Sequence, residues 1–225
     1  MSSEKTSNRT FKQYGADGLE QSLPAGKQTE DLKLIKKLCK KSDKILDLAC
    51  GYGRLTISLS KLGYNILGMD LSPTLIKAAK RKAKNKNIKT QFDLGNMLRL
   101  PYKNNSFDKV ICFWTSFNHL LTKIEQIKAL NEIFRILRSH GLAFIETFNG
   151  EAKPLKEHLK QEGYGPEKRL AKIRFYKKNS FVKGVYYFHD RKSLLAICKA
   201  SKFEHYKIGC KNISGERRLT ASLYK

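Results

Sequence analysis

An α/β fold with a mostly parallel sheet covered by helices on both faces is the architecture this chain predicts. Short apolar runs alternate with longer stretches of helical periodicity through the first two thirds of the sequence, as in successive βαβ units. One of those runs, Val110 to Trp114 (VICFW), is continuously apolar, as a strand buried on both faces must be. A glycine-containing turn follows the first run directly, in the position of a ligand-binding βα turn.

The elements follow in order. A helix is expected from about Thr29 to Cys39, with Leu32, Leu34, Ile35 and Leu38 available to the core. Ile45 to Ala49 is the first strand, Tyr64 to Met69 the second and Ile88 to Phe92 a weaker third. Val110 to Trp114 is the fourth and Gly141 to Phe148 the fifth. Between them Leu55, Leu59 and Leu62 recur at helical spacing, as do Leu75, Ala78 and Ala79, and Ile127, Leu130, Ile133, Phe134 and Leu137 form a stripe. Ser72-Pro73 places a capping hydroxyl before a first-turn proline, so a helix starts there. After Phe148 come a polar helix-like stretch (Glu151 to Gln161), a turn at Gly163 to Pro166, and a β-hairpin. Its strands contain Arg174 to Tyr176 and Phe181 to Phe188 and flank the polar Lys177 to Ser180. A helix from Asp190 to Lys199 and strands near Phe203 to Ile208 and Arg217 to Tyr224 close the chain, with Asp190 expected as the helix cap.

The 225 residues are 40% apolar and 29% charged, a balance that supports one substantial core, and a single domain is expected. No run approaches the roughly 20 apolar residues of a membrane span, and the first residues lack a signal-like apolar region. Five cysteines are scattered without a C-x-x-C pair, which argues against a zinc cluster or disulfide scaffold. A cytoplasmic protein without a metal or membrane partner is therefore expected. The net charge of +25 biases encounters toward polyanions, but the lysines are spread over nearly every segment. The densest run, Lys77 to Lys89, is open to two readings, a solvated helix face or a phosphate-binding one.

Asp47-Leu48-Ala49-Cys50-Gly51-Tyr52-Gly53-Arg54 joins the first strand to a helix. Gly51 and Gly53 permit positive φ and close ligand approach, and the helix offers unpaired N–H groups. Asp70 ends the second strand seventeen positions after Gly53, near the interval at which a carboxylate reaches a ribose diol; Ser72 is the better helix cap. Gly95-Asn96-Met97 follows the third strand and offers an amide and a thioether to an adenine. A dinucleotide loop would show a third glycine where Ile57 stands, and no Lys-Ser/Thr follows for a P-loop. Asp47 would repel a pyrophosphate and suits a cationic ligand.

These residues resemble the class I S-adenosylmethionine-dependent methyltransferases, strongly over Lys44 to Phe148. LDLACGYGR is similar to that family's first motif, with Ala49 in place of the first glycine, and GMDLSPTLIKAAK to the second. GNMLRLPYKNNSFDKVICFW resembles the adenine-bracketing segment, with Asn96 where an aspartate is more usual. LNEIFRILRSHGLAFIE resembles the helix and fifth strand, with Ser139-His140-Gly141 in place of Pro-Gly-Gly. The resemblance implies a Rossmann-like, seven-stranded sheet with an antiparallel last strand, and S-adenosylmethionine as cofactor. It implies cofactor contacts from Asp47, Ala49, Gly51, Gly53, Asp70, Leu71, Asn96, Met97 and Phe113, with Tyr14 folding over them. Segments are expected at 1–43 (amino-terminal lid), 44–148 (cofactor core), 149–189 (an insertion over the substrate side) and 190–225 (closing helix and strands).

Methyl transfer is an in-line displacement in which positioning supplies much of the rate, so no metal or covalent intermediate is required. His119, after the fourth strand, is the candidate general base, with a pKa expected near neutrality; its alternative role is to start or cap the next helix. Trp114 and Phe117 line an acceptor pocket or pack in the core, and the aromatic hairpin is a lid or a dimer contact. A small-molecule acceptor is the first expectation, since no nucleic-acid module is evident. RNA is the second, from the basic surface, and a non-catalytic cofactor-binding subunit the third.

Overall fold

The computed structural model describes residues 2–153, 155–161, 169–177, 180–213 and 216–225. The expected turn at Gly163 to Pro166, and Lys178 and Asn179 of the hairpin turn, lie outside them. The elements are α1 (Ser3–Gln21), α2 (Lys27–Leu38), β1 (Ile45–Leu48), α3 (Arg54–Lys61), β2 (Ile66–Asp70), α4 (Pro73–Asn85), β3 (Gln91–Leu94) and β4 (Phe107–Cys112). A 3₁₀ turn (Ser116–His119) follows, then α5 (Lys123–Ile136), β5 (Leu137–Phe148), α6 (Leu155–Gln161), β6 (Leu170–Lys177), β7 (Ser180–Tyr187), α7 (Arg191–Lys199), β8 (His205–Ile213) and β9 (Glu216–Tyr224). Seven strands form one sheet in the order β3-β2-β1-β4-β5-β9-β8, while β6 and β7 pair as a separate antiparallel hairpin. Strands β1 to β5 run parallel, and β9, the last in the chain, enters antiparallel between β5 and β8.

The strand period of two divides the core into layers. Leu46, Leu48, Val110, Cys112, Ala143 and Ile145 pack on one face against Leu130 and Ile133 of α5 and Leu194 of α7. Ile45, Ile111, Phe113 and Phe144 pack on the other against Ile35 of α2 and Leu55 and Leu59 of α3. Burying each such side chain contributes roughly 1.5–3 kcal/mol, which is why the strands read as unbroken apolar runs. Among the described residues no helix is long and apolar enough to cross a membrane.

Helix α4 begins as expected, with Ser72 Oγ accepting from the Leu75 N–H and Pro73 in the first turn. Asp190 caps α7 in a reciprocal box with Ser193. The third strand is displaced from the expected Ile88–Phe92 to Gln91–Leu94. Ile88 instead ends α4: Asn87 sits at φ 53° with its N–H on the Lys84 carbonyl, and the Ile88 N–H reaches the Ala83 carbonyl. This is a Schellman stop, with Ile88 packed against the apolar cluster that includes Ala83. Strand β4 begins and ends earlier than its apolar run suggests, and the chain leaves the sheet after Cys112.

Candidate active site

The carboxyl ends of β1, β2 and β4 open onto a cavity of about 550 Å³. Its floor is the loop after β1, where Ala49, Gly51 and Gly53 all adopt positive φ (59°, 58° and 81°). A Cβ on Gly53 would come within 2.9 Å of the Phe92 ring, so this glycine is required by both space and backbone. Ala49 takes a left-handed conformation at about 1–2 kcal/mol, where a glycine would have been unstrained. Asp70 is buried at the end of β2, its carboxylate accepting the Gly51 N–H at 2.9 Å and the Ser72 N–H at 2.8 Å. Burial raises its pKa and those N–H groups, with that of Leu71, pull it back. Asp47, also buried, accepts from the Thr56 hydroxyl at 2.7 Å; desolvation pushes its pKa up to about 6 against the opposing Thr56 hydrogen bond and Arg54. Leu71 and Met97 line the wall beyond Asp70.

Asn96 lines the same wall, but its amide is engaged: Oδ1 accepts the Leu98 N–H at 2.9 Å and Nδ2 donates to Glu4 at 3.1 Å. The acceptor atom expected to meet an adenine therefore closes a turn, and the amide links that turn to α1. Phe113 contributes to the cavity while packing on Phe144, with ring centroids 5.1 Å apart. Trp114 and Thr115 follow it at φ 54° and 61°, two consecutive non-glycine residues in the left-handed region, and both face the cavity. Trp114 lies under the Arg54 guanidinium, whereas Phe117 is fully buried in the core.

His119 ends the 3₁₀ turn and lines the cavity, its ring 4.9 Å from Phe11 and 4.4 Å from Tyr186. The expected near-neutral pKa is not what this setting produces. Burial lowers it to about 4, so the imidazole is neutral and weakly basic. The next helix has its own cap, a box formed by Thr122 and Glu125. Asn118, fully buried, donates to the Tyr187 carbonyl at 2.6 Å and accepts the Phe148 N–H at 3.1 Å, so it fastens the hairpin to the sheet. Tyr186 packs on Phe148 and faces the cavity, which puts this end of the hairpin over the site.

Helix α1 forms the opposite wall. It consists of two helical pieces meeting at Gly15 (φ 68°), and Ser3, Ser7, Asn8, Phe11 and Tyr14 line the cavity. Tyr14 is 2% exposed, with its ring where a Cβ on Gly18 would come within 2.8 Å. Burial raises the Tyr14 phenol pKa.

Below this lies a group of charges that the sequence reading missed. Lys27 bonds Asp31 at 2.5 Å and Glu146 at 3.0 Å, and Arg54 bonds Asp31 at 2.6 Å and Gln28 at 2.9 Å. Lys27, Asp31 and Glu146 are at most 1% exposed. Burial raises the Glu146 pKa, and Lys27 and Arg218 oppose that rise. The one available signal was Glu146 itself, an acid inside the apolar run LAFIETF.

Residues 45–141 match the family profile described as a methyltransferase domain. Over 124 residues the chain is 37% identical to the ubiquinone/menaquinone biosynthesis C-methyltransferase UbiE of Wigglesworthia glossinidia brevipalpis, covering 52% of this chain and 46% of that protein. A demethylmenaquinone methyltransferase of Lactobacillus johnsonii is 34% identical over 122 residues, covering 51% and 48%. The chain spans about half the length of the curated relatives it matches. In fold it is similar to the crystal structure of a S-adenosylmethionine-dependent methyltransferase from Clostridium acetobutylicum, with a TM-score of 0.68, 15% identity, and 92% and 94% of the two chains covered. The glycine loop, the acid ending β2 and the sheet order all fall within or frame the segment that matches the methyltransferase-domain profile, and the chain is similar to S-adenosylmethionine-dependent methyltransferases in sequence over about half of its length and in fold over most of it.

Proposed function

We propose that the protein transfers a methyl group from S-adenosylmethionine to a small-molecule acceptor held between the sheet ends, α1 and the hairpin. The observation that carries this reading is one cavity with acids at one end and an aromatic wall at the other. Asp47 and Asp70 stand at the glycine-loop end, and Phe11, His119, Phe148 and Tyr186 at the far end.

The residues fit the cofactor. Asp70 is pre-aligned by two backbone N–H donors and retains lone pairs for a ribose diol. The positive-φ loop at Ala49, Gly51 and Gly53 keeps side chains off the floor. Leu71 and Met97 offer apolar surface to a base, with Asn96 behind them. Asp47 favours a cation over a phosphate, and Phe113 and Tyr14 close the sides. When bound, the cofactor supplies an electrophilic methyl group on a sulfonium. The chain's own part is to orient the acceptor, exclude water and, where a proton must leave, receive it at an imidazole nitrogen of His119. In this scheme residues 44–148 hold the cofactor and residues 149–189 cover the acceptor.

The quinone-pathway names of two relatives support a small organic acceptor. The net charge of +25 favours RNA as the second reading. The cofactor assignment is tested by titrating Asp70→Ala with S-adenosylmethionine in a calorimeter. We expect affinity to fall by at least about tenfold, the loss of a charge-assisted hydrogen-bond pair. Unchanged affinity contradicts the ribose role.

A further inference from the structure

The cavity is electrically lopsided. Its lining acids are Asp47 and Asp70 on the glycine-loop side, where the one lining cation, Arg54, is paired with the buried Asp31, and Glu4 beside Asn96, whereas the end beneath the hairpin is lined by Lys153, Arg217 and Arg218. Arg218 is 4% exposed, stacks over the Phe148 ring at 4.5 Å, and electrostatically faces the buried Glu146. Lys153 and Arg217 are exposed at the rim and make no ion pair among the described residues. On the same side as these cations the wall is aromatic and largely apolar, from Phe11, His119, Phe148 and Tyr186.

From this arrangement we infer that the acceptor is an organic anion: an aromatic or otherwise apolar body bearing a carboxylate or phosphate, held by Lys153 and Arg217 with Arg218 behind them. This rests on the methyltransferase reading above and adds the acceptor's charge and polarity. The body packs on the aromatic wall, and a strong field gradient along the cavity turns the anionic group away from Asp47 and Asp70. An amine or other cationic acceptor would place its charge against three cations and gain nothing from the apolar wall that a neutral one would not.

The test uses the full chain with S-adenosylhomocysteine bound and three matched probes, 2-naphthoate, 2-naphthylmethanol and 2-naphthylmethylamine, with binding followed by ligand-observed NMR. The expected result is that the carboxylate binds at least about tenfold more tightly than the other two. The double variant Lys153→Glu/Arg217→Glu should erase that preference while S-adenosylhomocysteine affinity, measured by calorimetry, stays within about twofold. Equal binding of the three probes, binding of none, or a preference that survives the charge reversal overturns the inference and leaves the cofactor site standing. A matching fall in S-adenosylhomocysteine affinity in the variant also overturns it, since the cations would then serve the cofactor's own carboxylate. Failure of the parent protein to bind S-adenosylhomocysteine removes the methyltransferase reading itself, and this proposal with it.

Discussion

Asp47 and His119 are both perturbed by burial, in opposite senses, and each makes a measurable statement about the site. For Asp47 the folded pKa of about 6 lies above the ordinary carboxylate value, so the folded protein holds this proton more tightly than the unfolded chain does. Ionised Asp47 therefore costs stability above about pH 6, and the cost is relieved as pH falls toward its unfolded value. A cationic ligand needs the ionised form. Affinity for S-adenosylmethionine is expected to decline below pH 6 by up to about tenfold per unit, and Asp47→Asn to flatten that slope, as calorimetry across about pH 5 to 7.5 would record. For His119, a pKa of about 4 means that no acidic limb of the rate profile near neutrality belongs to it. Replacing it with alanine should lower turnover by roughly 10²–10⁴-fold with cofactor affinity unchanged, and undiminished turnover would remove it as the base.

The helices α2 and α3 and the strand β5 owe their mutual placement to charge as well as apolar contact. Lys27 is the hub, bonded at once to Asp31 on its own helix and to Glu146 on β5, while Arg54 bonds Asp31 from the start of α3. Such a cluster need not outperform an apolar one of the same shape, but removing one member strands the others. Lys27→Met is expected to leave the buried Glu146 without its bonded cation, with Asp31 keeping only Arg54, and to cost roughly 3–5 kcal/mol in urea unfolding. A loss under about 1 kcal/mol would show that water or proton uptake compensates. Helix α1 follows another logic. Its inward residues include Ser3, Thr6, Ser7, Thr10 and Gly18, small and polar, so it has no apolar stripe to announce it. The hydroxyls of Thr6 and Thr10 return to backbone carbonyls four residues earlier, and Ser3 bridges Glu125 to the Leu121 N–H. The helix is held to the body it covers by Ser3, by the contacts of Glu4 with Asn96 and Glu20 with Lys82, and by Phe11, Ala16 and Leu19 packing with Tyr52, Leu75 and Ala78.

Across the whole molecule the excess of lysine is distributed, and the cavity's acids sit within it as a local exception. A chain of net charge +25 will adsorb RNA at low salt regardless of its catalytic role, because phosphate contacts are driven by counterion release. Adsorption thus does not identify the acceptor. We expect total RNA incubated with the protein and methyl-labelled cofactor to acquire no label, and its retention to fade steeply between about 50 and 200 mM salt. Label recovered in RNA, with a dependence on RNA sequence, would replace the small-molecule reading.

Patterns of neighbouring residues made the sheet's parallel core readable: a strand covered on both faces is apolar throughout, and a capping serine before proline or an acid after a strand acts within a few positions of itself. The same locality made Gly51, Gly53 and Asp70 recognisable as a ligand turn and its partner. What the amino-acid order left open involved groups brought together from far apart in the chain. Ile88 read as strand because its role in stopping α4 depends on a carbonyl five residues back and a left-handed Asn87. The depressed basicity of His119 comes from Phe11 and Tyr186, on elements separated from it by more than half of the chain taken together, and the pairing of Lys27 with Glu146 spans 119 positions. Desolvation and ion pairing depend on three-dimensional distance, whereas capping and amphipathic periodicity depend on distance along the chain, and that difference separates the two sets of features.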